Sequence, residues 1–95
     1  MIISDIDRKF IHKILTEFYP DANFMVFGSR VKNKAKHNSD IDIAIDAGEK
    51  LDTSSLFQMN NKFEESDLLY KVDLCDFHRI SDEFQKHILA HYEDL

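Results

Sequence analysis

The sequence predicts a small α/β domain in which helices pack against one face of a β-sheet. Three observations support this prediction. Apolar residues recur at helical spacing near both ends of the chain, residues 40–47 alternate as a half-buried strand does, and helical and strand segments follow one another in turn. Because the 95 residues contain no internal repeat or low-complexity linker, residues 1–95 are expected to form one domain.

The first part of the chain is predicted to begin with a helix and to continue with a strand. Ser4 is a helix cap followed by Asp7 at the third position, and Pro20 ends the helix. Residues 23–27, NFMVF, form a short apolar run that predicts a buried strand, and one or two helical turns are expected over residues 29–36. The apolar stripe of the first helix consists of Ile6, Phe10, Ile11, Ile14, Leu15 and Phe18.

The second part is predicted to hold two more strands and two helices. Residues 40–47 form the alternating strand, residues 53 to about 67 a helix, and residues 71–77 a third strand. Ser81 caps a last helix that is expected to end near Tyr92. The apolar stripes are Leu56, Met59 and Phe63 on the earlier helix, and Phe84, Ile88, Leu89 and Tyr92 on the later one.

Composition and charge limit the possible functions. The chain is 43% hydrophobic with eight phenylalanines, which suffices for a core, and Cys75 is its single cysteine, which favours a reducing cytoplasm. Neither a membrane helix nor a signal peptide is expected. Residues 1–39 carry seven basic and four acidic side chains, whereas residues 40–95 carry five basic and fourteen acidic ones. This balance argues against general nucleic-acid binding, while the basic run after Gly28 suits either an anionic ligand or a solvated loop.

Acidic side chains at 40 and 42 stand in a strand although aspartate is a poor strand former. Alternation points the isoleucines of this strand towards the helices and Asp40 and Asp42 to the other face. Their Cα atoms are expected about 6.6 Å apart, a separation at which like charges repel and a cation relieves the repulsion. Oxygen ligands favour magnesium or manganese over zinc. The alternative is a strand with one solvated face.

A third carboxylate is predicted on the strand at residues 71–77, KVDLCDF. By alternation, Asp73 shares the open face with Asp40 and Asp42, so Asp73 is the predicted third site residue. By the same alternation, the Asp76 side chain points towards the core. It is expected at the frayed end of the strand and stays the alternative third carboxylate. A solvent-facing acid without function is the other interpretation of Asp73.

Gly28 and Ser29 lie where a strand is predicted to turn into a helix. Glycine lets the backbone approach a ligand closely, and a helix start offers free N–H groups to a phosphate. The Ser29 hydroxyl adds a donor, and the Arg30 guanidinium is able to contact two phosphate oxygens. A phosphate site beside a carboxylate-bound metal indicates nucleoside triphosphate chemistry, whereas an ordinary turn with a capping serine is the structural alternative.

Together these residues form the pattern G-S-x(10)-D-x-D, followed by a later strand Asp. The pattern resembles that of the polymerase-β-like nucleotidyltransferase superfamily. The stretches GSR…SDIDIAID and VDLCD look like the minimal nucleotidyltransferases (MNT), and the resemblance covers about the whole chain. It implies a polymerase-β-like nucleotidyltransferase fold with a small mixed β-sheet.

The resemblance also implies a reaction. ATP would be the substrate, its AMP would pass to an acceptor hydroxyl, and two magnesium ions (Mg2+) would assist. The implied catalytic and metal-binding residues are Asp40, Asp42 and Asp73, and the implied nucleotide-binding residues are Gly28, Ser29, Arg30 and Ser39. Family members of this size often pair with a HEPN-domain protein in toxin–antitoxin modules. The chain would then be a cytoplasmic antitoxin that modifies a tyrosine of a HEPN toxin within a hetero-oligomer.

Parts of the sequence are compatible with other interpretations. A binding module without activity would neutralise its partner by contact and use its acids only structurally. A HEPN-type ribonuclease fits the spacing from Arg30 to His37, but that class is all-helical and the alternation here demands strands. His87 and His91 have a spacing that zinc uses but lack a third ligand, so a solvated helix face is expected. Cys75 is interpreted as a packed residue.

Overall fold

The computed structural model describes residues 3–28 and 40–95, which form three helices and four strands. The turns expected over residues 29–36 lie outside the described residues. Among the described residues, no helix has both the length and the apolar character needed to span a membrane. The elements are α1 (Asp5–Phe18), β1 (Asn23–Phe27), β2 (Ile41–Asp46), α2 (Thr53–Glu64), β3 (Val72–Asp76), α3 (Asp82–Ala90) and β4 (Glu93–Asp94).

Side-chain caps determine where the described helices begin. The Ser4 hydroxyl accepts a hydrogen bond from the backbone N–H of Asp7 at 3.2 Å, and Ser81 caps α3 in the same way at 3.1 Å. Asp52 caps α2 by accepting from a backbone N–H two residues later, at 3.0 Å. Each cap satisfies a donor that the helix leaves unpaired and contributes about 1 kcal/mol. The caps predicted at Ser4 and Ser81 are therefore confirmed.

The four strands form one mixed sheet in the order β3-β2-β1-β4. β1 pairs antiparallel with β2 and β4, whereas β2 and β3 are parallel. The mixed sheet implied by the family resemblance is thus confirmed. The short β4 was not predicted, because α3 was expected to continue to Tyr92 but ends at Ala90. A two-residue strand is too short to show an alternating pattern.

The larger core lies between the sheet and helices α1 and α2. The three isoleucines of β2 are fully buried there, as the alternation predicts. The helices contribute residues from the predicted stripes, although Ile6 is 82% exposed and Phe10 also lies at the surface. The fully buried members of this core are Ile11, Leu15, Val26, Ile41, Ile43, Ile45 and Met59.

Helix α3 covers the opposite face of the sheet. Its Ile88 is fully buried against Met25 of β1, Ala44 of β2 and Phe77. The prediction that the helices pack on one face is therefore right for α1 and α2 and wrong for α3. The physical reason is that this second face is apolar in its middle, so a helix must cover it. Of the predicted stripe, Phe84, Leu89 and Tyr92 are exposed, although the Phe84 ring contacts the ring of Phe27 edge-on at 5.7 Å.

Asp46, the last residue of β2, is held by two contacts at the end of the sheet. Its Oδ1 accepts a hydrogen bond from the Gly48 N–H at 2.9 Å and lies 2.6 Å from Nε2 of His78. Burial tends to raise the pKa of this carboxyl. The bond from Gly48 and the contact with His78 nevertheless bring its pKa below the ordinary value of 3.8. Asp46 is therefore a structural residue, consistent with its omission from the predicted site.

The contacts of Asp46 predict a pH-dependent part of the stability. A carboxyl whose pKa is lower in the folded state stabilises the fold above its unfolded pKa, and this contribution is lost as pH falls through the folded pKa. We expect the difference in free energy of unfolding between wild type and Asp46→Asn to shrink as pH falls from about 6 to about 3. Urea unfolding at several pH values measures it, and Glu49→Gln, which changes an exposed acid nearby, serves as the control. A difference that stays constant with pH would contradict the prediction.

Candidate active site

Two of the predicted acidic residues lie side by side on neighbouring strands. Asp42 of β2 and Asp73 of β3 are register partners, and Phe27 of β1 is the partner of Asp42 on its other side. Residues directly opposite one another in a sheet point to the same face, so the side chains of Asp42 and Asp73 share one face. Asp40 precedes β2 with the same parity and is exposed.

The electrostatics of Asp42 indicate a concentration of negative charge among the described residues. Burial raises the pKa of the Asp42 carboxyl, and the nearby charges of Asp73 and Asp40 raise it further. No lysine, arginine or histidine of the described residues forms an ion pair with these three acids. A cation bound at this position would therefore be stabilised by all three carboxylates.

The donor set fits magnesium bound together with a substrate. Within residues 3–28 and 40–95, no three histidine, cysteine or acidic side chains are placed to enclose a metal ion by themselves. Magnesium is usually held by one or two carboxylates, while waters and substrate phosphates complete its shell. Asp42 and Asp73 supply that number of hard oxygen ligands on one face. The arrangement thus suits an ion that arrives with a nucleoside triphosphate better than one in a closed protein cage.

Asp76, the alternative third carboxylate, has a different role. The residue is 4% exposed, and its carboxylate accepts hydrogen bonds from the backbone N–H of Leu51 at 2.7 Å, from that of His78 at 3.0 Å and from Nε of Arg79 at 3.1 Å. The expectation that Asp76 lies at a frayed strand end is wrong, because these bonds fix it. Its oxygens are occupied and its Cα pairs with Ile45 on the core side. Asp73 is therefore the better candidate of the two.

Gly28 lies directly against the Asp42 carboxylate. Its φ is +81°, a conformation that side-chain-bearing residues rarely adopt, and a Cβ placed on it would lie 2.5 Å from Oδ2 of Asp42. Glycine therefore suits the left-handed backbone at this position, and an added side chain would require the Asp42 carboxylate to move. The other predicted nucleotide-binding residues, Ser29, Arg30 and Ser39, lie outside the described residues.

A Gly28→Ala substitution is expected to displace the Asp42 carboxylate and to reduce activity. The left-handed conformation alone costs an alanine about 1 to 2 kcal/mol of stability. Gly48→Ala is a matched control, because Gly48 has a φ of +84° with no atom within 4 Å of the added Cβ. We expect both variants to lose similar stability in urea unfolding, and Gly28→Ala alone to lose the nucleotidyl transfer that the family resemblance implies. Equal transfer rates in the two variants would contradict the role of Gly28.

Within residues 3–28 and 40–95, Cys75 and His87 do not form a second site. Cys75 lies beside Ala44 in the register, and burial together with the charges of Asp73, Asp42 and Asp76 raises the pKa of its thiol to about 11. A thiol with this pKa is almost entirely protonated at neutral pH, so Cys75 is not an activated nucleophile. His87 stacks on the ring of Phe84 at 6.1 Å between centroids.

A cavity of about 620 Å³ lies beside Asp73, between α2 and the loop that leads into β3. Asp73 forms part of its wall together with Phe57, Asn60, Asn61 and Lys71. No periodicity in the sequence indicates this cavity, because its walls come from segments that meet only when α2 packs near β3.

Comparisons with known proteins agree with the interpretation of the geometry as a nucleotidyltransferase site. A family model described as polymerase beta, nucleotidyltransferase, matches residues 9–95. The chain is 42% identical over 82 residues to a probable protein adenylyltransferase, MntA, of Haemophilus influenzae, covering 86% of this chain and 72% of that protein. It is 39% identical over 94 residues to a putative protein adenylyltransferase of Methanocaldococcus jannaschii, covering 98% of this chain and 91% of that protein.

Solved structures share the fold. A crystal structure of a toxin–antitoxin with AMP-PNP matches with a TM-score of 0.78 and 28% identity, covering 93% of this chain and 71% of that one. A mutant of the toxin–antitoxin MntA–HpeT matches with a TM-score of 0.72 and 27% identity, covering 94% and 70%. The family match over most of the chain, with relatives at this level of identity, leads to one conclusion: the chain belongs to the polymerase beta nucleotidyltransferase family.

Proposed function

We propose that this chain is an antitoxin that transfers AMP from ATP to a tyrosine hydroxyl of a partner toxin of the HEPN class, in a magnesium-dependent reaction. The observation that carries the proposal is the register pair of Asp42 and Asp73 beside Gly28, in a chain of a nucleotidyltransferase family. A protein acceptor is inferred from the relatives, which are named as protein adenylyltransferases, and a toxin partner from the structural matches of this chain to toxin–antitoxin complexes.

In the proposed mechanism, the residues of this chain position the triphosphate and the acceptor. Gly28 leaves room for the phosphates next to the Asp42 carboxylate, and Ser29, Arg30 and Ser39 are proposed to contact them. Magnesium, when bound at Asp40, Asp42 and Asp73, would neutralise charge that develops on the phosphate oxygens. Asp73 lies on the outer side of Asp42. We propose that it accepts the proton of the acceptor hydroxyl.

The proposed reaction is a single displacement at the α-phosphorus. The tyrosine oxygen forms a bond to the α-phosphorus, and the bond from that phosphorus to the bridging oxygen breaks. Pyrophosphate leaves with the electron pair, and the hydroxyl proton passes to Asp73. In-line geometry requires the attacking and leaving oxygens on opposite sides of the phosphorus. We further propose that the reaction takes place in the cytoplasm, within a hetero-oligomer of the chain and its toxin.

Transfer of a radioactive label tests the proposal. The chain is incubated with its co-purified partner, ATP labelled at the α-phosphate, and magnesium, and the labelled residue is identified by mass spectrometry. We expect label on a partner tyrosine, and none when EDTA replaces magnesium or when that tyrosine is changed to phenylalanine. A stable complex without any label would instead support the binding module that acts by contact alone.

A further inference from the structure

We propose that Phe84 and His87 of α3 form the surface on which the base of the bound nucleotide stacks. We refer to these two residues as the α3 aromatic pair. The inference rests on the proposed function and extends it, because the residues proposed for the phosphates and for magnesium do not account for the binding of the base.

Helix α3 packs on the face of the sheet that carries the acids of the candidate site. Its Ile88 is buried against Met25 of β1 and Ala44 of β2, which are register partners. Two residues further along these strands, Phe27 is the partner of Asp42. Residues two apart on a strand point to the same face, with Cα atoms about 6.6 Å apart. The row of residues that holds Asp42 is therefore next to the row on which Ile88 packs.

Phe84 connects α3 to the row that holds Asp42. Its ring lies edge-on to the ring of Phe27, with 5.7 Å between the centroids. Phe27 directly precedes Gly28 in the chain and is the register partner of Asp42. The ribose and base of a nucleotide extend further from its phosphates than the spacing of neighbouring strands, about 4.8 Å. A base attached to phosphates at Gly28 is therefore able to reach the Phe84 ring.

The α3 aromatic pair presents two nearly parallel rings. Their planes are inclined by 15° and their centroids are 6.1 Å apart. This distance exceeds the separation of about 3.5 to 4.0 Å between carbon atoms in contact, so the two rings overlap only in part. Phe84 is 37% exposed although its ring contacts the sheet, and His87 is exposed as well. Two partly open, parallel rings suit a planar aromatic ligand.

The position of the α3 aromatic pair favours the base over the acceptor side chain as its ligand. Phe27, Asp42 and Asp73 follow one another across β1, β2 and β3. Through its contact with Phe27, Phe84 lies at the end of this row near Gly28, opposite to Asp73. In the proposed reaction the acceptor gives its proton to Asp73, so the acceptor occupies the far end. The near end is then open to the nucleotide.

Calorimetric titration tests the inference with two ligands that share the triphosphate and differ in the base. These are a non-hydrolysable ATP analogue and inorganic tripolyphosphate, each with magnesium. Phe84→Ala is expected to raise the Kd of the ATP analogue at least about fivefold, a loss typical of base stacking on an aromatic side chain, and to leave that of tripolyphosphate unchanged. Leu89→Ala, which truncates a side chain of α3 that is 52% exposed, is expected to keep both wild-type Kd values.

Further ligands and variants separate stacking from a structural role of Phe84. A GTP analogue is expected to lose the same factor as the ATP analogue, because every base has a π-face, and Phe84→Tyr is expected to bind both as the wild type does. An unchanged Kd of the ATP analogue in Phe84→Ala would overturn the inference. An equal loss for both the ATP analogue and tripolyphosphate would also overturn it. A loss confined to the nucleotide, in a chain that transfers no label to its partner, would contradict the proposed function and leave the base site intact.

A measurement on the wild-type chain locates the base without any substitution. With the ATP analogue and magnesium bound to the isotope-labelled chain, we expect nuclear Overhauser effects between base protons and the Phe84 ring, and shift changes at the His87 ring. Tripolyphosphate is expected to produce neither. N-acetyl-tyrosinamide is the competing probe, added in the presence of the ATP analogue. Contacts of its ring with Phe84 in place of the base would assign the α3 aromatic pair to the acceptor and overturn the inference.

Discussion

Replacing Asp42 with asparagine is expected to abolish nucleotidyl transfer while leaving the fold at least as stable as in the wild type. In the folded state, burial and the charges of Asp73 and Asp40 raise the pKa of Asp42 above 3.8. The ionised carboxylate is thus less favourable in the folded chain than in the unfolded chain, and this destabilisation is present at neutral pH, above the folded pKa. Asparagine removes it along with the charge that the reaction needs.

The expected loss of transfer is about 10³-fold, or about 4 kcal/mol of transition-state stabilisation, because a carboxylate that holds a catalytic cation is removed. Asp46→Asn makes the same chemical change at the opposite end of the same strand. It removes the contacts with Gly48 and His78. We expect this control to lose stability and to keep transfer. Urea unfolding and the labelled-ATP assay measure both quantities. An Asp42→Asn variant that keeps more than about a tenth of wild-type transfer would rule out the proposed role of Asp42.

Replacing Asp76 with alanine is expected to destabilise the fold by about 3 kcal/mol, the largest effect on stability that we predict. The substitution leaves the N–H of Leu51, which lies in the core, without its acceptor and removes the carboxylate that accepts from Nε of Arg79. In a domain of this size, each kcal/mol lowers Tm by about 4 to 8 °C, so a decrease of roughly 15 °C is expected. Differential scanning calorimetry measures it.

Asp73→Ala is the matched control for Asp76→Ala, because both residues belong to β3 and differ in burial and partners. Asp73 is exposed and Asp76 is buried. We expect Asp73→Ala to stay within about 0.5 kcal/mol of wild-type stability and to lose transfer. Asp76→Ala, assayed well below its Tm, is expected to keep transfer. The reverse pattern would make Asp76 the third carboxylate and would overturn our assignment.

Local chemistry explains why much of the fold was predictable. A capping hydroxyl and a following apolar stripe locate the start of a helix within a few residues, and both Ser4 and Ser81 act as predicted. Strand β1 has its predicted bounds, because the apolar run begins after a helix-ending proline and stops at a glycine. The prediction that Asp42 of β2 and Asp73 of β3 share one face of the sheet agrees with the register, which pairs these two residues.

Two features depended on contacts between distant segments. The position of α3 on the second face follows from an apolar patch that Met25, Ala44 and Phe77 form only when three segments meet. The structural role of Asp76 follows from the backbone of Leu51, which lies 25 residues earlier. Alternation along the strand correctly predicted that Asp76 points towards the core. It does not show which hydrogen-bond donors surround the carboxylate there.

The sequence by itself therefore determined the succession of elements, the face that each strand residue occupies, and the residue types of the candidate site, because these depend on spacing along the chain. The tertiary structure decided which acids stay accessible, which acid is bound by backbone donors, and where a cavity opens beside Asp73. These properties arise from the packing of α2 and α3 against the sheet. Packing joins residues at separations over which no periodic pattern extends.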